Sequence, residues 1–177
     1  ELVQYEIRPA VCEYEEAKKL SGEAVRQGKT VHIHLALDTG MTRIGFADVP
    51  ENVEVIRKIA ELPNLEIEGM FTHFAKADEF DKSYTFAQHE KFLWMKEQLE
   101  KNGVQISYYD CDNSAGIIDF PDMKHDLARA GISIYGMYPS DEVKKDAVDL
   151  KPALELISHI SFVKDVEKGT SISYGGT

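Results

Sequence analysis

The chain has 177 residues, 43% hydrophobic and 29% charged, and its 20 Lys and Arg against 31 Asp and Glu leave a net charge of −11. This is ordinary globular composition, long enough to bury a core without disulfide staples. The acidity and the lack of a basic run exclude a nucleic-acid backbone as partner, since phosphate neutralisation needs clustered Lys and Arg.

No apolar run approaches the ~20 residues of a membrane helix. Residues 1–6 (ELVQYE) lack the basic start and apolar middle of a signal peptide. Cys12 and Cys111 make no metal-ligand spacing and read as core or near-core thiols in a reducing compartment. The chain opens on Glu rather than Met, as expected of a piece of something longer.

In chain order, residues 5–11 read as extended, weakened by Pro9. Residues 13–27 have helical spacing, with Ala17, Leu20 and Ala24 on one side and Gly28 as the stop. Residues 30–37 (TVHIHLAL) alternate as a strand. After the loop DTGMTRIGF, Pro50 opens a second helix, where its fixed φ suits the first turn. Residues 65–71 form a strand, 72–82 a polar loop, and 83–101 a long helix with Phe92, Met95 and Leu99 inward and Gly103 at its end. Residues 104–109 read as a third strand, 113–118 as a short helix and 128–135 as a further short strand. Residues 141–149 (DEVKKDAVD) read as a solvated linker. From Pro152 to Val166 an apolar-alternating stretch follows with no helix behind it.

Strand–helix alternation with short links means parallel βα units. A complete (β/α)8 barrel takes about 250 residues, so this α/β chain reads as a partial (β/α)8, TIM-like barrel. An open doubly wound sheet is the alternative, but no G-x-G-x-x-G follows any strand. The boundary falls near Leu150. Residues 1–149 would be part of the barrel, and 150–177 a linker with the first strands of a C-terminal β region.

In parallel barrels, reactive groups stand at the C-terminal ends of strands. Such positions hold Asp38, Thr39, Met41 and Arg43, then Thr72 and His73, then Asp112, Asn113 and Ser114, and lastly Arg129, Gly131 and Tyr135. Arg43 reads equally as a surface ion pair or as a fork for an anion or phenolate. His73, between two Phe, reads first as a buried, hydrogen-bonded imidazole and second as an acid, a base or an orienter of one. Ser114 is a natural N-cap, and the same geometry offers amides and a hydroxyl to a phosphate. Gly131 and Ile132 would add backbone donors. Arg129 lies in an apolar stretch and needs a partner, Asp126 or a neighbour, or else sits as a fixed charge under a ligand. Tyr174 reads first as a tyrosine of a β region. His34 and Trp94 read as core or interface.

Five collinear segments resemble the alanine racemase family, the fold-type III enzymes that use pyridoxal 5′-phosphate. They are 34–45 (HLALDTGMTRIG), 69–78 (GMFTHFAKAD), 112–116 (DNSAG), 129–139 (RAGISIYGMYP) and 173–177 (SYGGT). The resemblance implies a cytoplasmic homodimer that interconverts L- and D-alanine for cell-wall peptides, with neither metal nor membrane involved. Arg43 would bond the cofactor's phenolic oxygen and Arg129 its pyridine nitrogen. His73 would orient the catalytic tyrosine, and Asn113 would belong to the site floor. Ser114, Gly131 and Ile132 would hold the phosphate, and Asp78 would stand on the substrate's way in. Tyr174 would be the second base, lent to the partner's site. The family's Schiff-base lysine would lie upstream of Glu1, so this fragment would be inactive alone. Ala36 stands where many relatives carry a lysine that braces the arginine, and Ala130 where a proline is usual. The alternatives are a racemase module for serine or another amino acid in a larger protein, and a non-catalytic pyridoxal-phosphate-binding barrel.

Overall fold

A computed structural model describes residues 1–123 and 125–176. Its centre is a parallel sheet that runs β1 (Ala10–Val11), β2 (Val31–Asp38), β4 (Leu65–Phe71), β5 (Tyr108–Asp112), β6 (Leu127–Ala128), with β3 (Phe46–Ala47) pairing β2 off this path. Every pairing is parallel. The strands are linked through helices α1 (Tyr14–Gln27), α2 (Pro50–Ala60), α3 (Ser83–Lys101) and the short α4 (Ser114–Asp119). The sheet is open rather than closed, an arc of the expected (β/α)8 barrel.

Local chemistry explains each element. α1 buries Ala17, Ser21 and Ala24, one helical face, and carries Glu15 and Glu16 in the first turn, where the dipole favours anions. Gly28 closes it in the left-handed conformation. α2 starts at Pro50 and buries Val53, Ile56 and Ile59. α3 buries Thr85, Gln88, Phe92, Met95 and Leu99 at three- and four-residue steps. β2 alternates over Val31, Ile33 and Leu35, then buries both Ala36 and Leu37 because both its faces are covered there.

Three elements depart from the sequence reading. The third strand runs over Tyr108–Asp112, not 104–109. Its pairing to β4 begins at Gly69↔Tyr108, because the Val104 amide donates to the Leu99 carbonyl at the end of α3 and the chain first meets β4 where the Ser107 amide donates to the Glu68 carbonyl. Residues 128–135 are not one strand. β6 ends at Ala128, and Ile132–Tyr135 curls into a 3-10 turn, because the Gly131 and Ser133 amides donate to Ser114 instead of to a sheet. Residues 5–8 likewise stay outside the sheet, and Pro9 joins it only through its carbonyl, which accepts from the His34 amide, leaving β1 two residues.

The later segments also differ. Residues 141–149 are more than a solvated linker: Val143 is buried in the core, and the Lys144 amide donates to Asp119 Oδ1 at 2.9 Å. Between Lys151 and Gly176 no strand forms, and the side chains are exposed. An apolar alternation becomes a strand only beside a partner, and none flanks this segment among the described residues.

Two glycines are set by close approach. A Cβ on Gly69 would stand 2.5 Å from the His34 ring on β2. Gly45 has φ +117°, and a Cβ there would meet backbone atoms of Ala36, Leu37 and Asp38 at 2.7 Å. Gly45→Ala should therefore cost about 2–4 kcal/mol. Urea unfolding of the intact protein checks this, and a cost below 1 kcal/mol would contradict the geometry.

Candidate active site at the strand ends

The C-terminal ends of β2, β4, β5 and β6 bring the polar residues together. Beneath them lies a buried hydrogen-bonded cluster. Thr39 and Thr72 share a hydroxyl bond of 2.8 Å, and Thr72 Oγ1 donates to the Leu37 carbonyl at 3.0 Å. Gln88 reaches in from α3, donating from Nε2 to Thr39 Oγ1 and the His73 carbonyl and accepting from the Ala75 amide. Gln88 is fully buried, so these bonds are made without competing water. They fix the turn that presents His73. Asp38 shapes the neighbouring loop by accepting from the Gly40 and Thr42 amides.

Arg129 is the hub. Its Nη1 donates to Asp110 on β5, and its Nη2 donates to the Thr72 carbonyl at 2.7 Å and lies 3.5 Å from His73 Nδ1. The guanidinium stands 5.0 Å from the Phe71 ring centroid. Of the two partners the sequence allowed, Asp126 or a neighbour, the structure gives a neighbour, Asp110. Asp126 instead accepts from the Tyr109 amide at 2.9 Å. Because Arg only donates, Nδ1 of His73 must offer its lone pair to Arg129, which leaves its proton on Nε2. Burial, then Arg129 and Arg43, holds His73 below the usual imidazole range, so it is neutral at pH 7.

Arg43 shares a cleft with His73, lined also by Ala36, Met41, Ile44 and Phe71. Its side chain is exposed, and no protein partner braces it among the described residues. Ala36 is buried beside it and carries nothing that could.

Ser114 is not the N-cap of α4. That role falls to Asn113, whose Oδ1 accepts from the Gly116 amide at 3.0 Å while its Nδ2 donates to the Phe74 carbonyl. Ser114 Oγ is thereby freed to face the 3-10 turn, where the Gly131 amide (2.9 Å), the Ser133 amide (3.3 Å) and the Ser133 hydroxyl (3.0 Å) converge on it. Ile132 is first in that turn, a position whose N–H has no intrahelical acceptor.

Arg43, His73, Asn113, Ser114, Arg129, Gly131 and Ile132 thus gather at one end of the sheet. Two predicted residues stand apart. Tyr174 is fully exposed in the last segment, and Asp78 engages through its carbonyl, which accepts from Ser140 Oγ at 2.6 Å. The sequence reading missed Asp110, Ser133 and Gln88. The alternating acids of 110–112 beside an Arg in need of a counter-ion were the signal for the first.

Asp110 and Asp112 each keep a buried Oδ1 without a hydrogen-bond partner. Burial raises Asp110 against the pull of Arg129. Burial, then Asp110, pushes Asp112 up to about 6. A carboxyl raised in the folded state favours folding below its unfolded pKa near 4, and that contribution is lost as pH rises through about 6. Asp112→Asn should therefore gain on the order of 1 kcal/mol over the parent at pH 8. The gain should vanish at pH 4. Denaturant titrations at both pH values measure it, and a gain independent of pH would contradict the assignment.

Residues 1–139 match the family description "Alanine racemase, N-terminal domain". An alanine racemase of Clostridium tetani is 48% identical over 173 residues, 98% of this chain and 45% of that protein. Among solved structures, an alanine racemase of Clostridium difficile 630 superposes with a TM-score of 0.92 at 42% identity, covering 98% of this chain and 46% of that one. A complex of the Clostridium difficile 630 enzyme with cycloserine superposes with a TM-score of 0.84 at 41% identity, over 86% of this chain and 42% of that one. The chain spans about half the length of the curated relatives it matches. With its strand-end cluster on the matching barrel arc, the chain belongs to the alanine racemase family.

Proposed function

We propose that the protein carrying this chain interconverts L- and D-alanine with pyridoxal 5′-phosphate, and that residues 1–149 supply the barrel wall that grips the cofactor. The observation that carries this reading is the fixing of Arg129 between β4 and β5, beside His73 and two residues before Gly131. The donor set fits a phosphorylated pyridine. Two amides and the Ser133 hydroxyl converge on Ser114 Oγ, a set of donors of the kind a phosphate needs in a net-acidic chain.

The bound cofactor would supply an electron-withdrawing ring that acidifies the amino acid's Cα–H. Ser114, Gly131 and Ile132 would hold its phosphate. Arg129 would donate to the ring nitrogen. Since Arg keeps its proton at any working pH, Arg129 would only donate there and would leave the ring nitrogen without a proton, making the ring a weaker electron sink. Such a donor at Arg129 would suit racemisation better than transamination. Arg43 would donate to the phenolic oxygen. Neutral His73, its lone pair engaged by Arg129, would orient the tyrosine base through Nε2–H.

Racemisation needs proton donors on opposite faces of Cα. This chain offers one, Tyr174, which would act in the partner's site of a homodimer. The second base, the Schiff-base lysine, has no counterpart here: no lysine amine joins the Arg129 network among the described residues. Residues 1–177 alone would therefore be inactive. Asn113 would form the site floor and Asp78 the substrate's approach. Residues 150–177 would lead into a C-terminal β region. The enzyme would work in the cytoplasm and feed D-alanine to cell-wall peptides. No helix is long and apolar enough to cross a membrane among the described residues.

The test supplies the intact protein with the cofactor and L-alanine and follows D-alanine by chiral chromatography. Turnover is expected, with kcat falling about a hundredfold or more in Arg129→Gln, as for loss of one fixed electrostatic donor. Turnover of L-serine in preference to alanine would overturn the substrate, and cofactor binding without turnover would overturn the activity. Racemisation by the 177-residue chain alone at the intact rate would overturn its assigned inactivity.

A further inference from the structure

On the opposite face of β5, away from the Arg129 cleft, lies a second cluster. Strand alternation that turns Asp110 toward Arg129 turns Cys111 the other way, and its side chain is fully buried. His89 of α3 and His125, just before β6, meet it there. The two Nε2 atoms are 3.0 Å apart, and one ligand atom from each of His89, Cys111 and His125 lies within 4.8 Å of the others. The imidazoles stand edge to face at 5.2 Å, and His125 is further held edge-on by Phe92 at 5.3 Å. The three residues come from three different elements and are distant in sequence, so no ligand-spacing motif announces them.

We propose that His89, Cys111 and His125 form a binding site for a divalent d-block cation of the zinc class, with water as the fourth ligand. Bonds of about 2.0–2.1 Å to nitrogen and 2.3 Å to sulfur set tetrahedral ligand atoms about 3.3–3.6 Å apart; the two nitrogens stand 3.0 Å apart, and the sulfur lies within 4.8 Å of both, a gap that rotation of the side chains would close. One thiolate and two imidazoles suit zinc better than the hard, oxygen-seeking calcium or magnesium. A simple imidazole–imidazole hydrogen bond accounts for the two rings but gives no reason for the thiol to converge on them. Both histidines are only half buried, which leaves water an approach to the open position. Binding replaces the Cys111 S–H bond with a sulfur–metal bond, and the proton leaves to solvent. The ion would tie α3 and β5 to the segment that runs through β6 to Arg129.

The test uses the intact, tag-free protein, stripped with a chelator and titrated with zinc alone. One zinc per chain is expected to bind and to raise Tm. X-ray absorption at the zinc edge should show one sulfur and two imidazole scatterers. Cobalt in its place should give the visible bands of a tetrahedral thiolate centre in a difference spectrum. Cys111→Ser should lose the sulfur scatterer, and His89→Gln the bound zinc, while His159→Gln in the exposed last segment keeps both. Absence of stoichiometric zinc in the parent protein would overturn the site, as would sulfur-free coordination. Should the variants fail to fold, the parent's absorption spectrum decides on its own.

Discussion

A guanidinium bonded to two neighbouring strands at once organises this molecule. Arg129 spends one nitrogen on the Asp110 carboxylate of β5 and another on the Thr72 carbonyl of β4. A half-buried cation needs such partners to offset its desolvation cost. Once met, the requirement locks β4, β5 and the segment after β6 in one relative position. The 3-10 turn that holds Gly131 and Ser133 follows directly, so the donors around Ser114 are placed by the same charge. The cluster of Thr39, Thr72 and Gln88 performs the matching task on the other side, anchoring β2 and α3 to the turn that bears His73.

Much of this was legible in the sequence because its signals are local. The alternation in 30–37 and 65–71 and the spacing of Phe92, Met95 and Leu99 gave β2, β4 and α3 close to their observed bounds. Parallel βα rhythm then gathered Arg43, His73, Ser114 and Arg129 at one end, because consecutive strands in such a sheet point the same way. What stayed hidden is non-local. Residues 104–107 have strong β propensity, but the Val104 amide is spent on closing α3 at the Leu99 carbonyl, so the strand forms four residues later and carries two acids. Asn113 competes with Ser114 for the cap and wins, and only the turn at Gly131 explains why the losing hydroxyl is useful. Tyr174 could be matched to a motif, but no contact within the described residues fixes it.

The two faces of β5 illustrate a further division. Asp110 and Asp112 face the strand-end cleft, where burial raises both and the charge of Asp110 raises Asp112 further, against the pull of Arg129. Cys111 and Tyr109 face α3, where aromatic packing dominates and Phe92 meets Tyr109 edge-on at 6.3 Å. Five residues thus separate an ionic environment from a soft, apolar one with only the thickness of a strand between them.

The bare ribbon from Lys151 to Gly176 has a practical consequence. Leu154, Leu156, Ile160, Phe162 and Val163 all stand in water there, on backbone without ladder bonds. Such a stretch is a template for adhesion between copies, whereas the two-residue strands at the sheet's margins offer almost none. Handling of residues 1–177 by themselves is therefore governed by colloidal behaviour rather than by core strength. Trimming back to about residue 150 removes the sticky portion while leaving the arginine-centred lattice whole.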